Sequence, residues 1–332
     1  MKNYQMKDLF LTVVLLFVAI HAEASGTYQN AVIKHDCPDP GVFYDKKSDL
    51  FVAVTTTSKR IGPKGGYFPI YSSKDLANWT FESFAFPEGS QPSWSIQSYW
   101  APEIHQILPN KYHMYFTAMD KGRKLCLGVA VSDNWYGPYE DPIGRPLLKN
   151  VTIGSLDPNI MKVNNETYLV WKVEGNAKGL HTDIKAVKLT PDGTLISEED
   201  EPKLLITNDL EWEGPIIEGP WHLHRPPYHY IFYSANIWAD GRYRVGVARS
   251  RDPFSSYEKS ETAIMVSSDV WKGPGHCSVV KTRANKYVMV YHAWPNVPDR
   301  TERGRYMMID EVLWSEDGWP YFKNKTPSST KQ

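Results

Sequence analysis

Five motifs in this sequence set an ionisable residue beside proline or glycine. They are CPDPGVF with Asp39, YWAPEIH with Glu103, SLDPNIM with Asp157, IIEGPWH with Glu218 and GPGHCSV with His276. Consecutive members stand roughly 60 residues apart, as if each opened one structural repeat. Glu218 has the most apolar neighbours, two isoleucines before it and Gly-Pro-Trp after it. A carboxylate in such company costs free energy unless it is paired, hydrogen-bonded or held protonated. The last option keeps an acid ready near neutral pH. The first would need only an arginine, and structural ion pairs perturb carboxylates as well.

A protonated carboxyl facing an ionised one across a sugar-binding pocket is enough to hydrolyse a glycosidic bond. One protonates the leaving oxygen, while the other attacks or activates water. Glu218 is the candidate acid. Asp39, in a turn between Pro38 and Pro40 and nearly opposite in a fivefold ring, is the candidate base. Asp157 would hold the acid's pKa up by like-charge repulsion and orient it. Asp-Pro alone proves little, because Asp141-Pro142 and Asp252-Pro253 repeat it as ordinary turn initiators. Phase within the repeat separates the sets. Spacing alone leaves the roles interchangeable.

The elements that position these residues read as strands. Helical periodicity is scarce, and short alternating runs are bounded by Gly, Pro, Asn and Asp. Aromatic-rich strand candidates fall at 49–55, 111–118, 167–173, 229–235 and 286–294, each followed by a second hairpin-like unit. Five such units match the blades of a propeller, whose first strands line a central channel. The expectation is an all-β, single-domain, five-bladed β-propeller with the five ionisable residues converging at one mouth, where uncompensated charge would be costly.

Composition agrees with a large globular core: 332 residues, 42% hydrophobic and 23% charged, with a formal net charge of -1. That charge offers no reason to expect nucleic acid or a membrane surface as partner. The 12 Trp, 20 Tyr and 12 Phe suit sugar rings and all-β cores equally. Cys37, Cys126 and Cys277 allow at most one disulfide, with Cys277 either packing or pairing with Cys37, and match no zinc spacing. At the N-terminus, Lys2 and Lys7 precede an apolar run and Ala22-Glu23-Ala24. This is the pattern of a signal peptide over residues 1–24, leaving 25–332 as a secreted propeller domain. Sequons at Asn78, Asn150, Asn165 and Asn324 fit that route.

Taken together, CPDP, YWAPEIH, SLDPNIM, IIEGPW, GPGHCSV and GRYMMIDEVLWSEDGWP resemble glycoside hydrolase family 43 over about residues 30–322. The resemblance implies a five-bladed propeller that inverts arabinosides or xylosides. It also implies Asp39 as base, Asp157 as modulator, Glu218 as acid, Trp100 lining the sugar pocket, His276 at the centre and Arg305 contacting substrate or acid. Glu103 is expected to bind substrate or orient its neighbours. In some members the central histidine helps hold a calcium or other ion through water; a hydrogen-bonded structural histidine fits His276 equally, and no cofactor is required.

The expected partner is a carbohydrate, arabinan or arabinoxylan, acted on by a monomer. Invertase-like propellers use Arg-Asp-Pro, but Arg251-Asp252-Pro253 follows the acid and falls in an outer hairpin. A secreted lectin would keep Trp100 without needing three carboxylates in phase. The chain ends soon after the fifth unit, without length for the accessory sandwich of many xylosidases. The expectation is therefore an α-L-arabinofuranosidase, with β-D-xylosidase and endo-arabinanase as alternatives. Loops 58–68 and 87–99 would shape the pocket.

Overall fold

A computed structural model describes residues 28–330 apart from 59, 61 and 151. The expected signal peptide lies outside the described residues. Runs rich in aromatic and β-branched residues form strands, and consecutive strands pair antiparallel into five sheets. Inner hairpins turn on residues that tolerate a left-handed backbone, Asp49, Asn110, Asn164, Asn165 and Asn285.

Blade one holds β1 (Gly41–Asp45), β2 (Leu50–Val54), β3 (Gly66–Ser73) and β4 (Thr80–Pro87). Blade two has three strands, β5 (Ser95–Leu108), β6 (Lys111–Asp120) and β7 (Leu125–Ser132), with bridges from Glu140 and Leu148 extending its outer edge. Blade three comprises β8 (Ser155–Val163), β9 (Glu166–Val173), β10 (Asp183–Lys188) and β11 (Lys203–Thr207). Blade four comprises β12 (Ile217–Arg225), β13 (Tyr228–Ala235), β14 (Arg244–Ser250) and β15 (Glu258–Lys259). Blade five comprises β16 (Trp271–Lys281), β17 (Tyr287–Pro295), β18 (Tyr306–Trp314) and β19 (Pro320–Tyr321). The fold is a five-bladed β-propeller.

The aromatic runs form the second strand of each blade, β2, β6, β9, β13 and β17. The first strands are harder to see because a bulge breaks their alternation.

Closure joins the two ends of the ring. The segment before β1 runs beside the start of β18, with Val32 N donating to Met307 O (2.9 Å) and Cys37 N to Arg305 O (2.8 Å). Buried Asn30 adds a two-way clasp to the backbone of Ile309. Five apolar clusters fill the five blade-to-blade interfaces, for example Phe68, Phe86, Tyr112 and Phe116 between blades one and two. Each fully buried large apolar side chain contributes about 1.5–3 kcal/mol. Many of the aromatics therefore serve the core. All three cysteines are buried and unpaired, so Cys37 and Cys277 pack and make no disulfide.

Candidate active site

Every first strand carries the same irregularity. In β5, Trp100 pairs with Thr117 and Glu103 with Tyr115, three residues against two. The same step separates Leu156 from Asn159, Glu218 from Trp221 and Gly275 from Ser278. In blade one, Thr56 N donates to Pro38 O at 3.0 Å ahead of the pairing of Gly41 with Val54, giving the equivalent offset. The residue after the pre-bulge position has positive φ in all five: Asp39 (55°), Ala101 (43°), Asp157 (54°), Gly219 (57°) and His276 (48°). A bulge re-aims its side chains, and here it turns them to the channel mouth.

This register places each candidate. Asp39, Asp157 and His276 share the left-handed position. Glu218 and Trp100 share the one before it. Glu103 does not belong to the set: its blade-two equivalent of Asp39 is Ala101. Glu103 lies one step deeper, buried, with Oε2 3.7 Å from His105 Nε2 and close against Gly41. Burial and the charge of Asp157 push its pKa well above the ordinary value.

Asp39 is buried yet ionised. Arg305 Nη1 donates to Oδ1 at 3.0 Å, and His276 Nδ1 and His292 Nδ1 lie 3.5 and 3.2 Å from the same oxygen. Burial would raise its pKa, but Arg305 and then His276 hold it well below the ordinary value. Arg305 is itself placed by Asp36, whose Oδ1 accepts its backbone N–H at 2.8 Å. Gly304 permits that approach, since a Cβ there would stand 2.3 Å from Asp36. Asp36 Oδ2 also accepts from Ser58 Oγ (2.7 Å), tying the 58–68 loop to the same corner.

Glu218 departs from expectation. Its neighbours in sequence are apolar, but in space Lys172 Nζ donates to Oε2 at 2.9 Å and Tyr243 Oη to Oε1 at 2.8 Å. Burial pushes its pKa up; Lys172 and then Tyr243 outweigh it and bring the value below the ordinary one. Asp157, not Glu218, is the raised member of the pair. Burial lifts it to about 6, with His276 opposing and the charge of Glu218 assisting. Asp157 Oδ2 accepts the N–H of Gly219 at 2.9 Å, which links the two carboxylates.

Trp100 is 39% and Trp238 38% exposed, so both offer an indole face at the mouth. The Trp238 ring also covers Arg305, whose Cζ is 4.6 Å from its centroid. Asp141 and Asp252 cap their own turns, as ordinary Asp-Pro turns do. Among the described residues no group of three or more His, Cys, Asp or Glu has ligand geometry. A cavity of about 570 Å³ lies along the later halves of the first strands, among His105, Lys162, Trp221 and His222, and none of the three carboxylates lines it.

Lys172, Tyr243, His292 and Asp36 were not singled out from the sequence. A signal for two of them exists in retrospect. Each aromatic run contains a polar residue near its end, VTT, FTA, WKV, YSA and YHA, and Lys172 and His292 are two of these.

The chain has recognisable relatives. The sequence profile of glycosyl hydrolases family 43 matches residues 28–320. A β-D-galactofuranosidase of Aspergillus niger is 24% identical over 294 residues, covering 84% of this chain and 82% of that protein. An extracellular exo-α-(1→5)-L-arabinofuranosidase of Cellvibrio japonicus is 25% identical, covering 77% and 80%. A thermostable family-43 glycoside hydrolase of known crystal structure superposes with a TM-score of 0.80 at 25% identity, covering 92% and 98%. Family profile, propeller and matching relatives agree: this chain is a member of glycoside hydrolase family 43.

Proposed function

We propose that the protein is an exported, inverting α-L-arabinofuranosidase in which Asp39 is the base and Glu218 the acid. The observation that carries the base is that Asp39 is held ionised by Arg305. Glu218 takes the acid's part from its motif and from its link to Asp157 through the N–H of Gly219. Asp39 takes a proton from water as that water's oxygen bonds to the anomeric carbon. The bond to the leaving oxygen breaks, Glu218 protonates that oxygen, and the anomeric configuration inverts. Asp157 orients the acid through Gly219. Trp100 and Arg305 contact the sugar.

A furanose substrate is favoured by the relatives, one named a galactofuranosidase and another an arabinofuranosidase. Export is supported by the N-terminal pattern and by relatives named extracellular. The test is hydrolysis of aryl α-L-arabinofuranoside, aryl β-D-galactofuranoside and aryl β-D-xyloside side by side, with Asp39→Asn as blank. Turnover of the arabinofuranoside, lost in the blank, is the expected result. Turnover of the xyloside alone would overturn the furanose reading, and digestion of linear arabinan without aryl turnover would make the enzyme endo-acting.

A further inference from the structure

One position recurs in or just past the second strand of every blade, opposite the pre-bulge residue. It is filled by Thr56, Thr117, Lys172, Ser234 and His292. In four blades this side chain accepts the bulge N–H of the next blade around the ring. Thr56 Oγ1 accepts from Ala101 at 2.7 Å and Thr117 Oγ1 from Asp157 at 3.0 Å. Ser234 Oγ accepts from His276 at 2.6 Å and His292 Nδ1 from Asp39 at 3.2 Å. The ring is thus a chain of side-chain caps.

Lys172 breaks the pattern. An ammonium has no lone pair with which to accept, so the N–H of Gly219 goes to Asp157 Oδ2 instead. Lys172 is released from capping, and with its side chain 2% exposed it points at Glu218. With Tyr243 on the other oxygen, both oxygens of Glu218 face a donor. Each donor is better matched by the ionised carboxylate than by the neutral acid, so protonating Glu218 weakens both contacts.

We infer that Lys172 is a positioning residue that holds Glu218 in place as a carboxylate and so sets the upper pH limit of the reaction. This rests on the reading of Glu218 as the acid. The other charged or titratable groups facing Glu218 are Asp157 on β8, His276 on β16, Tyr243 ahead of β14 and Glu174 just past β9. None of these is a permanent cation. A buried opposite charge in contact moves a carboxyl by about 1–3 pH units, so losing Lys172 makes Glu218 easier to protonate. An acid must carry its proton, and the rate falls as pH rises through its pKa.

The test is Lys172→Thr, which gives blade three the side chain that blades one and two already carry there. The falling, alkaline limb of kcat/KM should move up by at least about one pH unit. Tyr243→Phe should move it less in the same direction, and Lys172→Arg should leave it near the parent's. Lower activity with an unmoved limb would reduce Lys172 to a structural role and overturn the inference. A readout free of substrate keeps it separable from the assigned function: ¹³C NMR titration of the carboxyl carbons, with Glu218→Gln identifying the Glu218 signal. A Glu218 signal that titrates at the same pH in Lys172→Thr as in the parent sinks the inference whatever the activity. A shifted signal in a protein that cleaves no glycoside supports Lys172 and removes the glycosidase. Should Lys172→Thr fail to fold, Lys172→Arg and Tyr243→Phe are titrated in its place, and a limb and signal unmoved in Tyr243→Phe but shifted in Lys172→Arg would again overturn it.

Discussion

Arg305 Nη1 donates to Asp39 Oδ1 at 3.0 Å, joining residues 266 apart in sequence at the seam where the ring closes. The same seam is closed by backbone pairing, since Cys37 N donates to Arg305 O. Ring closure and the contact that keeps buried Asp39 ionised are therefore made by one event. Arg305→Met should raise the pKa of Asp39. A base must be ionised, so activity is lost as pH falls through that pKa, and the acid limb of kcat/KM should shift upward. At neutral pH the loss should reach about 10²–10³-fold, the scale of removing one preorganised electrostatic contact. A uniform drop at all pH values would mean that Arg305 acts on the sugar alone.

Glu218→Gln should lower hydrolysis of natural glycosides by about 10²–10⁴-fold, the usual share of general acid catalysis. Aryl glycosides with very acidic leaving groups need little protonation and should suffer much less. Equal losses on both would count against the acid role. The same variant strands the buried Lys172 ammonium, and breaking a buried pair from one side costs about 3–5 kcal/mol. Its thermal midpoint should fall despite the near-isosteric change.

Asp157 and Asp39 should respond to pH with opposite signs. Asp157 is raised from 3.8 to about 6 in the folded state. Such a carboxyl adds nothing below its unfolded value and costs stability progressively as pH rises from about 4 to about 6. Asp157→Asn should therefore melt higher than the parent at pH 7, by at most about 3 kcal/mol, with the gap closing at pH 4. Asp39 is held below its ordinary value, so it contributes stability above about pH 4 that is lost as pH falls through its folded value. Asp39→Asn should melt lower at pH 7. Melting curves at the two pH values check both, and a parallel response of the two variants would contradict the assigned electrostatics.

Gly275, in the GPGHCSV motif, is explained by its neighbour across the blade interface. A Cβ there would stand 2.3 Å from the Tyr243 ring, whose hydroxyl holds Glu218. Gly275→Ala should cost about 1–3 kcal/mol by overpacking. It should also lower kcat more than it changes KM, because the tyrosine is pushed off the acid. Unchanged kinetics with the stability loss alone would detach Tyr243 from catalysis.

The fold was legible because its signals are local. Second strands such as 111–118 and 229–235 carry aromatic and β-branched residues at strand length, and the five charged motifs recur at blade spacing. First strands were less legible, since a bulge cancels the alternation that identifies a strand. Hence Glu103 read as a fifth member of the ring, although the register gives that place to Ala101.

The sequence by itself determined which kinds of residue face the channel and in what order, because both follow from spacing along one chain. It could not determine the charge each one carries. Asp39 is ionised through an arginine from the last blade, and Glu218, so apolar in its own strand, meets a lysine from the blade before it. The first pairing exists only once the ring has closed, and the second only once neighbouring blades have packed. The protonation of a buried carboxyl depends on charges within a few ångströms, whatever their distance along the chain.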